Sequence, residues 1–393
     1  MANLQRDYSR LSGTIFERSK TKDLRLLVAG AGALGNEIIK NLSLIGVGSI
    51  LIVDCDTVEA SNLTRSILFS TSDIERHILN KEPKATLAAA RAREINSDVK
   101  MDAFVGEVAD LGLGRFKEFD IVFSALDNEM ARLELSWACL STNRLLVDGG
   151  LGFQNYSSGL LSIYPGADGP CYACRKSREH RSALLTTLQG WRFPCSEREQ
   201  EAEANDFVTT TPLMASIIAA IQVEEGMRAF VGGRSPSEGR SLEVTLHPNP
   251  RLARFSYVRN RNCPLHDIPS RCHQWPRNSA ATTVSELLDF VERLEHAKPS
   301  LTLRWPIVVS AHCQDCGTTW APMVRAARFR REKRCSACGS EHVIEGEPLS
   351  EIRRESPWAD KNLRELSLPD NHVHEFVIHD NGEKRLIAVE IRD

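Results

Sequence analysis

Three features that would restrict the possible partners are missing from this sequence: a long apolar run, an excess of one charge, and a low-complexity or repeated segment. The 393 residues include 49 basic and 52 acidic side chains, which leave a formal net charge of −3. Such a balance gives no electrostatic reason to expect nucleic acid or a membrane surface as a partner. The longest apolar run, 24–35, is broken by glycines and is too short to span a bilayer.

The N-terminal segment also lacks the apolar core of a secretory signal, so we expect a cytoplasmic protein. Cysteine is present in an odd number, eleven, and most of these residues belong to short paired motifs. In a reducing compartment, pairs of this kind are more often metal ligands than disulfides.

The first two thirds of the chain alternate between short apolar runs and segments of helical periodicity. Strands are predicted at 24–30, 49–54, 120–125, 144–148 and 242–247, with helices near 34–45, 83–95, 129–141 and 212–230. Strands that alternate with helices predict an α/β fold with a doubly wound, Rossmann-like and mainly parallel sheet.

A polar interval with two prolines, 268–283, predicts a linker between two domains. The first domain is then 1–267, with a crossover loop at 175–206, and the second is 284–393. The second domain contains a predicted helix at 284–294 and two predicted strands within 373–391, around an Asp-Asn-Gly turn.

A glycine motif follows the first predicted strand and opens the first helix. Gly30, Gly32 and Gly35 form a G-x-G-x-x-G segment, and Asp54 ends the next strand, 24 residues after Gly30. Glycines allow a backbone to turn tightly and approach a phosphate, while a carboxylate at Asp54 can bind ribose hydroxyls. The motif alone is also typical of dinucleotide oxidoreductases, and a glycine turn without a ligand is the structural alternative.

The residues after the second strand favour phosphoryl chemistry over hydride transfer. Residues 54–65 read D-C-D-T-V-E-A-S-N-L-T-R and include Asp56, Asn62 and Arg65. Lys84 stands at the predicted start of a helix, and Asp127 follows a predicted strand, at the sheet edge where ligands bind. Cations are needed where charge develops on phosphate oxygens, and a carboxylate can hold Mg²⁺.

These blocks together resemble the ThiF/MoeB/ubiquitin-activating-enzyme family over residues 1 to about 266. The resemblance rests on the glycine loop, the D-x-D-x-V-E-x-S-N-L-x-R segment, Pro83-Lys84-Ala85 and Asp127-Asn128. Ser66 departs from the glutamine that is usual in the family after the arginine.

The resemblance implies a role for each matched residue. Asp54 would bind the ribose of ATP, and Asn62, Arg65 and Lys84 would contact the triphosphate. Asp127 would hold Mg²⁺. Arg10 matches an arginine that reaches the ATP of a neighbouring subunit, which implies a homodimer. A solvated surface charge is the alternative for Arg10 and Lys84 taken singly.

Two chelating pairs lie about ninety residues apart in the first predicted domain. Cys171 and Cys174 form a C-x-x-C pair, and Cys263 and His266 form a C-x-x-H pair. Three thiolates and one imidazole are a normal tetrahedral set for structural Zn²⁺. The family commonly has cysteine at the fourth position, where His266 stands here.

Cys195 is the candidate nucleophile. It lies in the predicted exposed crossover loop, near arginines and before the Thr-rich segment 209–211. An exposed cysteine near positive charge can be partly thiolate and therefore nucleophilic. Relatives that form a thioester have a cysteine in the corresponding loop, although the residues that flank Cys195 match poorly. A loop cysteine without a catalytic role is the alternative.

A second set of cysteines has the spacing of a zinc ribbon, with eighteen residues between the pairs. Its members are Cys313, Cys316, Cys335 and Cys338. A basic stretch, 325–334, lies between the pairs. Such a stretch is more often solvated than bound to nucleic acid, and the alternative is a surface that recruits an acidic protein partner.

The sequence therefore predicts ATP-dependent adenylation of the C-terminus of a ubiquitin-like protein. Thioester formation and transfer to a conjugating-enzyme-like protein would follow. One alternative is adenylation of a sulfur-carrier protein for cofactor or thionucleoside synthesis, in which Cys195 is dispensable. Another is a non-catalytic scaffold that acts through its zinc ribbon.

Overall fold

The computed structural model of the protein describes residues 6–73, 79–152, 155–188, 210–232, 239–269, 271–380 and 383–392. Two compact units emerge from its contacts. Of the described residues, 6–111, 116–176 and 210–266 form the first unit. The second contains 112–115, 177–188 and 267–392. Within the described residues, no helix is long and apolar enough to cross a membrane.

An eight-stranded sheet forms the centre of the first unit, with the strand order β3-β2-β1-β4-β5-β6-β7-β8. The first five strands are parallel, and β6 to β8 continue the sheet antiparallel. The strands are β1 (Arg25–Ala29), β2 (Ser49–Asp54), β3 (Lys100–Val105), β4 (Ile121–Ser124), β5 (Leu145–Leu151), β6 (Ser158–Tyr164), β7 (Gly239–Thr245) and β8 (Arg251–Tyr257).

Helices follow most of the parallel strands, as the alternating pattern predicts. Among the described residues up to 232, the helices are α1 (Arg18–Thr21), α2 (Ala33–Ile45), α3 (Lys84–Ile95), α4 (Leu113–Phe116), α5 (Glu129–Ser141), α6 (Arg178–Leu188) and α7 (Pro212–Val231). One apolar core joins α2, α3 and α7 to the sheet. The predicted α/β fold with a doubly wound, mainly parallel sheet is confirmed.

The second unit is built around a separate sheet. Its described strands pair in the order β13-β10-β16-β17-β9, with β15 beside β10, and a three-stranded sheet has the order β12-β11-β14. The strands are β9 (Arg271–Trp275), β10 (Pro299–Val308), β11 (Ala311–Cys313), β12 (Thr319–Trp320), β13 (Val324–Arg325), β14 (Val343–Glu345), β15 (Leu349–Ile352), β16 (Val373–Asp380) and β17 (Glu383–Ile391). The described helices of residues 267–392 are α8 (Val284–Glu295) and α9 (Ala326–Arg331).

Two segments differ from their predicted conformation. The predicted linker, 268–283, contains β9, which pairs in parallel with β17, so part of this interval belongs to the folded second unit. The predicted crossover loop, 175–206, contains α6, and the described part of that helix also groups with the second unit. Polar composition concealed both elements, because a surface helix or an edge strand needs few apolar residues.

Candidate functional site

The glycine loop lies where β1 ends and α2 begins. Gly30 has a φ of +96°, and a Cβ added there would lie 2.6 Å from the carbonyl oxygen of Ala125, after β4. A Cβ at Gly35 would lie 1.9 Å from the oxygen of Gly30. Only glycine fits at these two positions, whereas a Cβ at Gly32 would meet no atom within 4 Å. The loop is therefore packed on its inner side and open at Gly32, where α2 presents its first amide groups.

Asp54 holds this loop from the end of β2. One carboxylate oxygen accepts a hydrogen bond from the Ala31 N–H at 2.6 Å, and the other accepts from the Asp56 N–H at 2.8 Å. Burial raises the pKa of Asp54, although both hydrogen bonds and the cation of Lys84 favour its ionised form. The Asp54 carboxylate thus ties the loop to the segment that follows β2.

Lys84, the first residue of α3, continues this chain of contacts. Its ammonium group lies 2.9 Å from a carboxylate oxygen of Asp56, and its backbone N–H donates to the Asp56 carbonyl at 2.9 Å. Burial opposes its charge, but the hydrogen bond to Asp56 and the carboxylates of Asp54 and Glu59 together raise the pKa of Lys84. A half-buried, permanent cation therefore lies beside the two aspartates.

Asn62 and Arg65 lie just beyond, at a short 3-10 helix, Ala60–Thr64. Asn62 is buried, and its side-chain oxygen accepts from the Glu59 N–H at 2.9 Å in a capping box. Arg65 follows the helix and is half-buried, with its backbone N–H bound to the Asn62 carbonyl. At the next position, Ser66 is buried, where the family usually has glutamine.

Asp127 and Asn128 lie after β4, at the carboxyl end of the parallel strands. Asn128 caps α5 by accepting from the Ala131 N–H at 2.8 Å, and the side chain of Asp127 is exposed. The preceding carbonyl, of Leu126, accepts a hydrogen bond from the half-buried guanidinium of Arg132. This backbone anchor leaves the Asp127 carboxylate facing solvent, accessible to a metal ion.

Arg10 lies apart from these residues, in a single turn of 3-10 helix, Ser9–Leu11, and is exposed. The preceding residue, Tyr8, is anchored to the first unit. Its hydroxyl donates to Asp98 at 3.0 Å and accepts from the side chain of Asn96 at 2.9 Å. The segment is therefore fixed on the surface with the Arg10 side chain directed outward.

One residue that the motif analysis leaves out makes several contacts at this site. Asn36, in the first turns of α2, is fully buried, and its side chain bonds both to the glycine loop and to the backbone of Leu68. A polar residue in an otherwise apolar helix, directly after a G-x-G-x-x-G motif, is the signal that identifies it.

The first four predicted metal ligands are brought together within the first unit. The sulfur of Cys171 lies 3.7 Å from those of Cys174 and Cys263, and the Cys174 sulfur lies 3.3 Å from Nε2 of His266. Tetrahedral zinc with Zn–S bonds of about 2.3 Å separates two sulfurs by roughly 3.8 Å. The four donors therefore fit a structural Zn²⁺ site.

The second set of four cysteines lies beside the three-stranded sheet of the second unit. Its sulfurs pair at 3.7 Å (Cys313 and Cys338) and 3.6 Å (Cys316 and Cys335). In both sets the ligand atoms lie within 4.8 Å of one another. Two similar turns present the cysteines, each closed by a glycine of positive φ, Gly317 and Gly339. The arrangement is compatible with a zinc ribbon.

The candidate nucleophile, Cys195, lies outside the described residues, as does Thr209. The described Thr211 caps α7, since its hydroxyl accepts from the Met214 N–H at 3.2 Å. Its role as a helix cap explains a threonine at this position without reference to catalysis.

A glycine loop at a helix N-terminus, with carboxylates at the ends of parallel strands, defines the first unit as a Rossmann-like nucleotide-binding fold. The ThiF family model matches residues 8–265. The chain belongs to the ThiF family, as its motifs predict.

Its relatives include a ubiquitin-activating enzyme E1-like protein and adenylyltransferases of sulfur carrier proteins. The chain is 34% identical over 174 residues to the ubiquitin-activating enzyme E1-like protein of Saccharomyces cerevisiae, which is 43% of this chain and 26% of that protein. It is 27% identical over 248 residues to the sulfur carrier protein adenylyltransferase of Thermus thermophilus, 60% of this chain and 83% of that protein. The E. coli ThiS adenylyltransferase is 31% identical over 181 residues, 43% of this chain and 67% of that protein.

The match thus spans only about a quarter of the length of the yeast relative. Among solved structures, E. coli MccB with MccA-N7isoAsn is similar, with a TM-score of 0.51 and 17% identity. The match covers 64% of this chain and 70% of MccB. At this identity the likeness supports the fold alone.

Proposed function

We propose that the protein binds ATP and adenylates the C-terminal carboxylate of a ubiquitin-like protein. The observation that carries this proposal is the continuous chain of hydrogen bonds from the glycine loop through Asp54 and Asp56 to Lys84. The transfer of a hydride at a nicotinamide ring needs no lysine near the phosphate loop. An adenylation site needs one, because charge develops on the phosphate oxygens.

In the proposed reaction, a carboxylate oxygen of the carrier protein attacks the α-phosphorus of ATP. The bond from the α-phosphorus to the bridging oxygen breaks, so the products are an acyl adenylate and pyrophosphate. The open glycine loop and the amide groups of α2 bind phosphate oxygens, while Asp54 accepts hydrogen bonds from the ribose. Lys84 and Arg65 neutralise charge on the triphosphate, and Arg10 of a second subunit completes the site in a homodimer.

A divalent cation would offset charge on the departing pyrophosphate, and Asp127 is its proposed ligand. The side chain fits this role because it is exposed at the carboxyl end of β4, with its backbone anchored through Leu126. Oxygen ligands of this kind suit Mg²⁺, which keeps several waters when it binds.

We further propose that the thiolate of Cys195 attacks the acyl carbon of the adenylate. A thioester forms and AMP leaves, and a conjugating-enzyme-like protein then accepts the acyl group. The two metal sites would bind Zn²⁺ and stabilise structure, since four protein ligands leave no open position for catalysis.

Activation of a sulfur-carrier protein is the second candidate. The extent of the sequence matches favours this candidate. The match covers 83% of the Thermus sulfur carrier protein adenylyltransferase but only 26% of the yeast ubiquitin-type relative. Both candidates share the adenylation step and differ only in the fate of the adenylate.

The adenylation step is tested by exchange of labelled pyrophosphate into ATP, with candidate ubiquitin-like and sulfur-carrier proteins of the same genome as substrates. The wild-type protein should catalyse exchange only with a carrier present. Asp127→Ala should reduce the rate at least about 100-fold, because the pyrophosphate loses its bound cation. Asp102→Ala is the matched control, since Asp102 is an exposed aspartate on the edge strand β3 that pairs with Lys100. Tight binding of NAD without any binding of ATP would refute the proposal.

A further inference from the structure

The side chain of Asn36 connects two parts of the proposed nucleotide site. Its amide nitrogen lies 2.6 Å from the carbonyl oxygen of Ala31 and 3.0 Å from that of Gly32. Its amide oxygen accepts from the backbone N–H of Leu68 at 2.9 Å. All three contacts are buried or partly buried, and Asn36 itself has no exposed surface.

These bonds set the orientation of the peptide groups in the glycine loop. In a trans peptide the C=O and the N–H point in opposite directions. When the Asn36 side chain draws the carbonyl of Ala31 toward the core, the N–H of Gly32 is turned to the opposite side. The Gly32 carbonyl accepts from both the side chain and the backbone N–H of Asn36, at 3.0 and 2.9 Å, and a Cβ added at Gly32 would meet no atom within 4 Å.

The loop is also held at the N–H of Ala31, so two different side chains fix its conformation. The N–H of Ala31 donates to Asp54 at 2.6 Å, while the C=O of the same residue accepts from Asn36. One short segment is thus fixed by a carboxylate on one face and an amide on the other. Its amide groups need little reorganisation to receive a phosphate.

The third bond of Asn36 reaches the segment that carries the phosphate-binding candidates Asn62 and Arg65. Leu68 lies three residues after Arg65, and the Ser66 N–H bonds to the Asn62 carbonyl at 2.9 Å. Asn36 therefore links the loop to the Arg65 segment by hydrogen bonds, in addition to the apolar packing of Leu68 and Phe69 in the core. A shift of about 1 Å between binding groups is enough to cost roughly 100-fold in a well-aligned site.

We infer that Asn36 is a positioning residue for the triphosphate: it orients the glycine-loop amides and helps to set their distance from the Arg65 segment. The inference rests on the proposed use of ATP. It assigns Asn36 no direct contact with the nucleotide, so its replacement should weaken binding of phosphates and spare binding of the nucleoside.

The test compares Asn36→Leu with Ser162→Ala in the full-length protein. Ser162 is the control, because it is also a buried polar residue of the first unit, its hydroxyl bonds that of Ser241 at 2.7 Å, and its strand, β6, lies three strands from β1 in the sheet. Dissociation constants for ATP and adenosine are measured by calorimetric titration, and melting temperatures by calorimetry. Both variants should lose thermal stability, since each leaves buried polar groups unpaired.

Only Asn36→Leu should lose at least tenfold in ATP affinity, with adenosine affinity within about twofold of the wild type. Equal ATP affinity in Asn36→Leu and wild type would overturn the inference, as would a parallel loss for ATP and adenosine. If Asn36→Leu does not fold, Asn36→Ser is measured in the same way, and an unchanged ATP affinity there has the same meaning. A wild-type protein that does not bind ATP would instead refute the proposed function.

Discussion

At the scale of single residues, the buried histidine His374 shows how its surroundings govern ionisation. It lies in β16 with its ring 5.0 Å from that of His372, and its Nε2 atom is buried without a hydrogen-bond partner among the described residues. Burial, together with the neighbouring His372, lowers the pKa of His374 well below its usual range. The ring of His374 is therefore neutral in the folded second unit.

The consequence is a loss of stability in acid. The neutral ring contributes its full stability above the unfolded-state pKa of about 6.5, and this contribution falls as the pH drops below that value. At pH 5.5, one unit lower, the loss is about 1.4 kcal/mol. We predict that His374→Phe removes this part of the acid sensitivity at little cost near pH 8, because Nε2 forms no hydrogen bond there.

The measurement is the melting temperature of the second unit between pH 8 and pH 5.5. His379→Phe is the control, since His379 lies in the same strand but is exposed. A His374→Phe protein that loses as much stability in acid as the wild type would show that this ring is not the group that titrates.

At the scale of elements, β1, α2 and β2 could be predicted from the sequence because the burial of apolar residues dominates each of them. Their apolar residues are almost all buried in a single core, and the glycine loop between β1 and α2 has a recognisable composition. Gly30 and Asp54 lie at the ends of β1 and β2, and Lys84, the first residue of α3, contacts Asp56 just beyond β2. The contact of Asn36 with Leu68 could not be predicted, since the two residues are 32 positions apart in the sequence.

The antiparallel strands β6 and β8 escaped prediction for two different reasons. In β6, polar residues are buried, and the hydroxyls of Ser162 and Ser241 bond each other at 2.7 Å across to β7, which conceals the alternation of apolar residues. In β8, Leu252 and Phe255 are exposed at the end of the sheet, so the strand has no apolar face turned to the core. An alternation of apolar and polar residues indicates a strand with one buried face. It does not detect a strand that has no such face.

The cysteine turns of the second unit support a prediction about metal content. We expect two zinc ions per chain in the wild type and one in Cys313→Ser, measured by elemental analysis. The variant should also lose the fold around β11, β12 and β14, because a structural zinc ion contributes on the order of ten kcal/mol to a small metal domain. Nucleotide binding should persist, since its proposed residues belong to the first unit.

Cys272→Ser is the control for this experiment. Cys272 is an exposed thiol of the second unit that belongs to neither group of candidate ligands. Its replacement should leave two zinc ions in place. A measured content of one zinc ion per wild-type chain would refute one of the two proposed zinc sites.

At the scale of the whole molecule, the fate of the adenylate separates the two candidate functions. If the carrier is ubiquitin-like, ATP and carrier should form a covalent adduct that thiol reductants cleave, and Cys195→Ala should abolish it. Pyrophosphate exchange should stay nearly unchanged, because adenylation precedes the attack of the thiolate. The adduct is followed by non-reducing electrophoresis and the exchange by labelled pyrophosphate.

Cys272→Ser serves again as the control and should retain the adduct. Full transfer activity in Cys195→Ala would exclude the thioester role and favour activation of a sulfur carrier. Loss of adduct and exchange together would indicate that Cys195 is needed for the structure of its segment.

The spacing of the metal ligands has a consequence for the timing of synthesis. In the first group, Cys174 and His266 are 92 residues apart, whereas Cys313 and Cys338 in the second are separated by 25. At translation rates of about 5 to 20 residues per second, the first Cys pair waits roughly 5 to 18 seconds for its partners. The ribbon can close within about a quarter of that time. During the longer wait, the thiols of Cys171 and Cys174 are without their two candidate partners, so oxidation or binding of another metal has more time to occur there than at the second group.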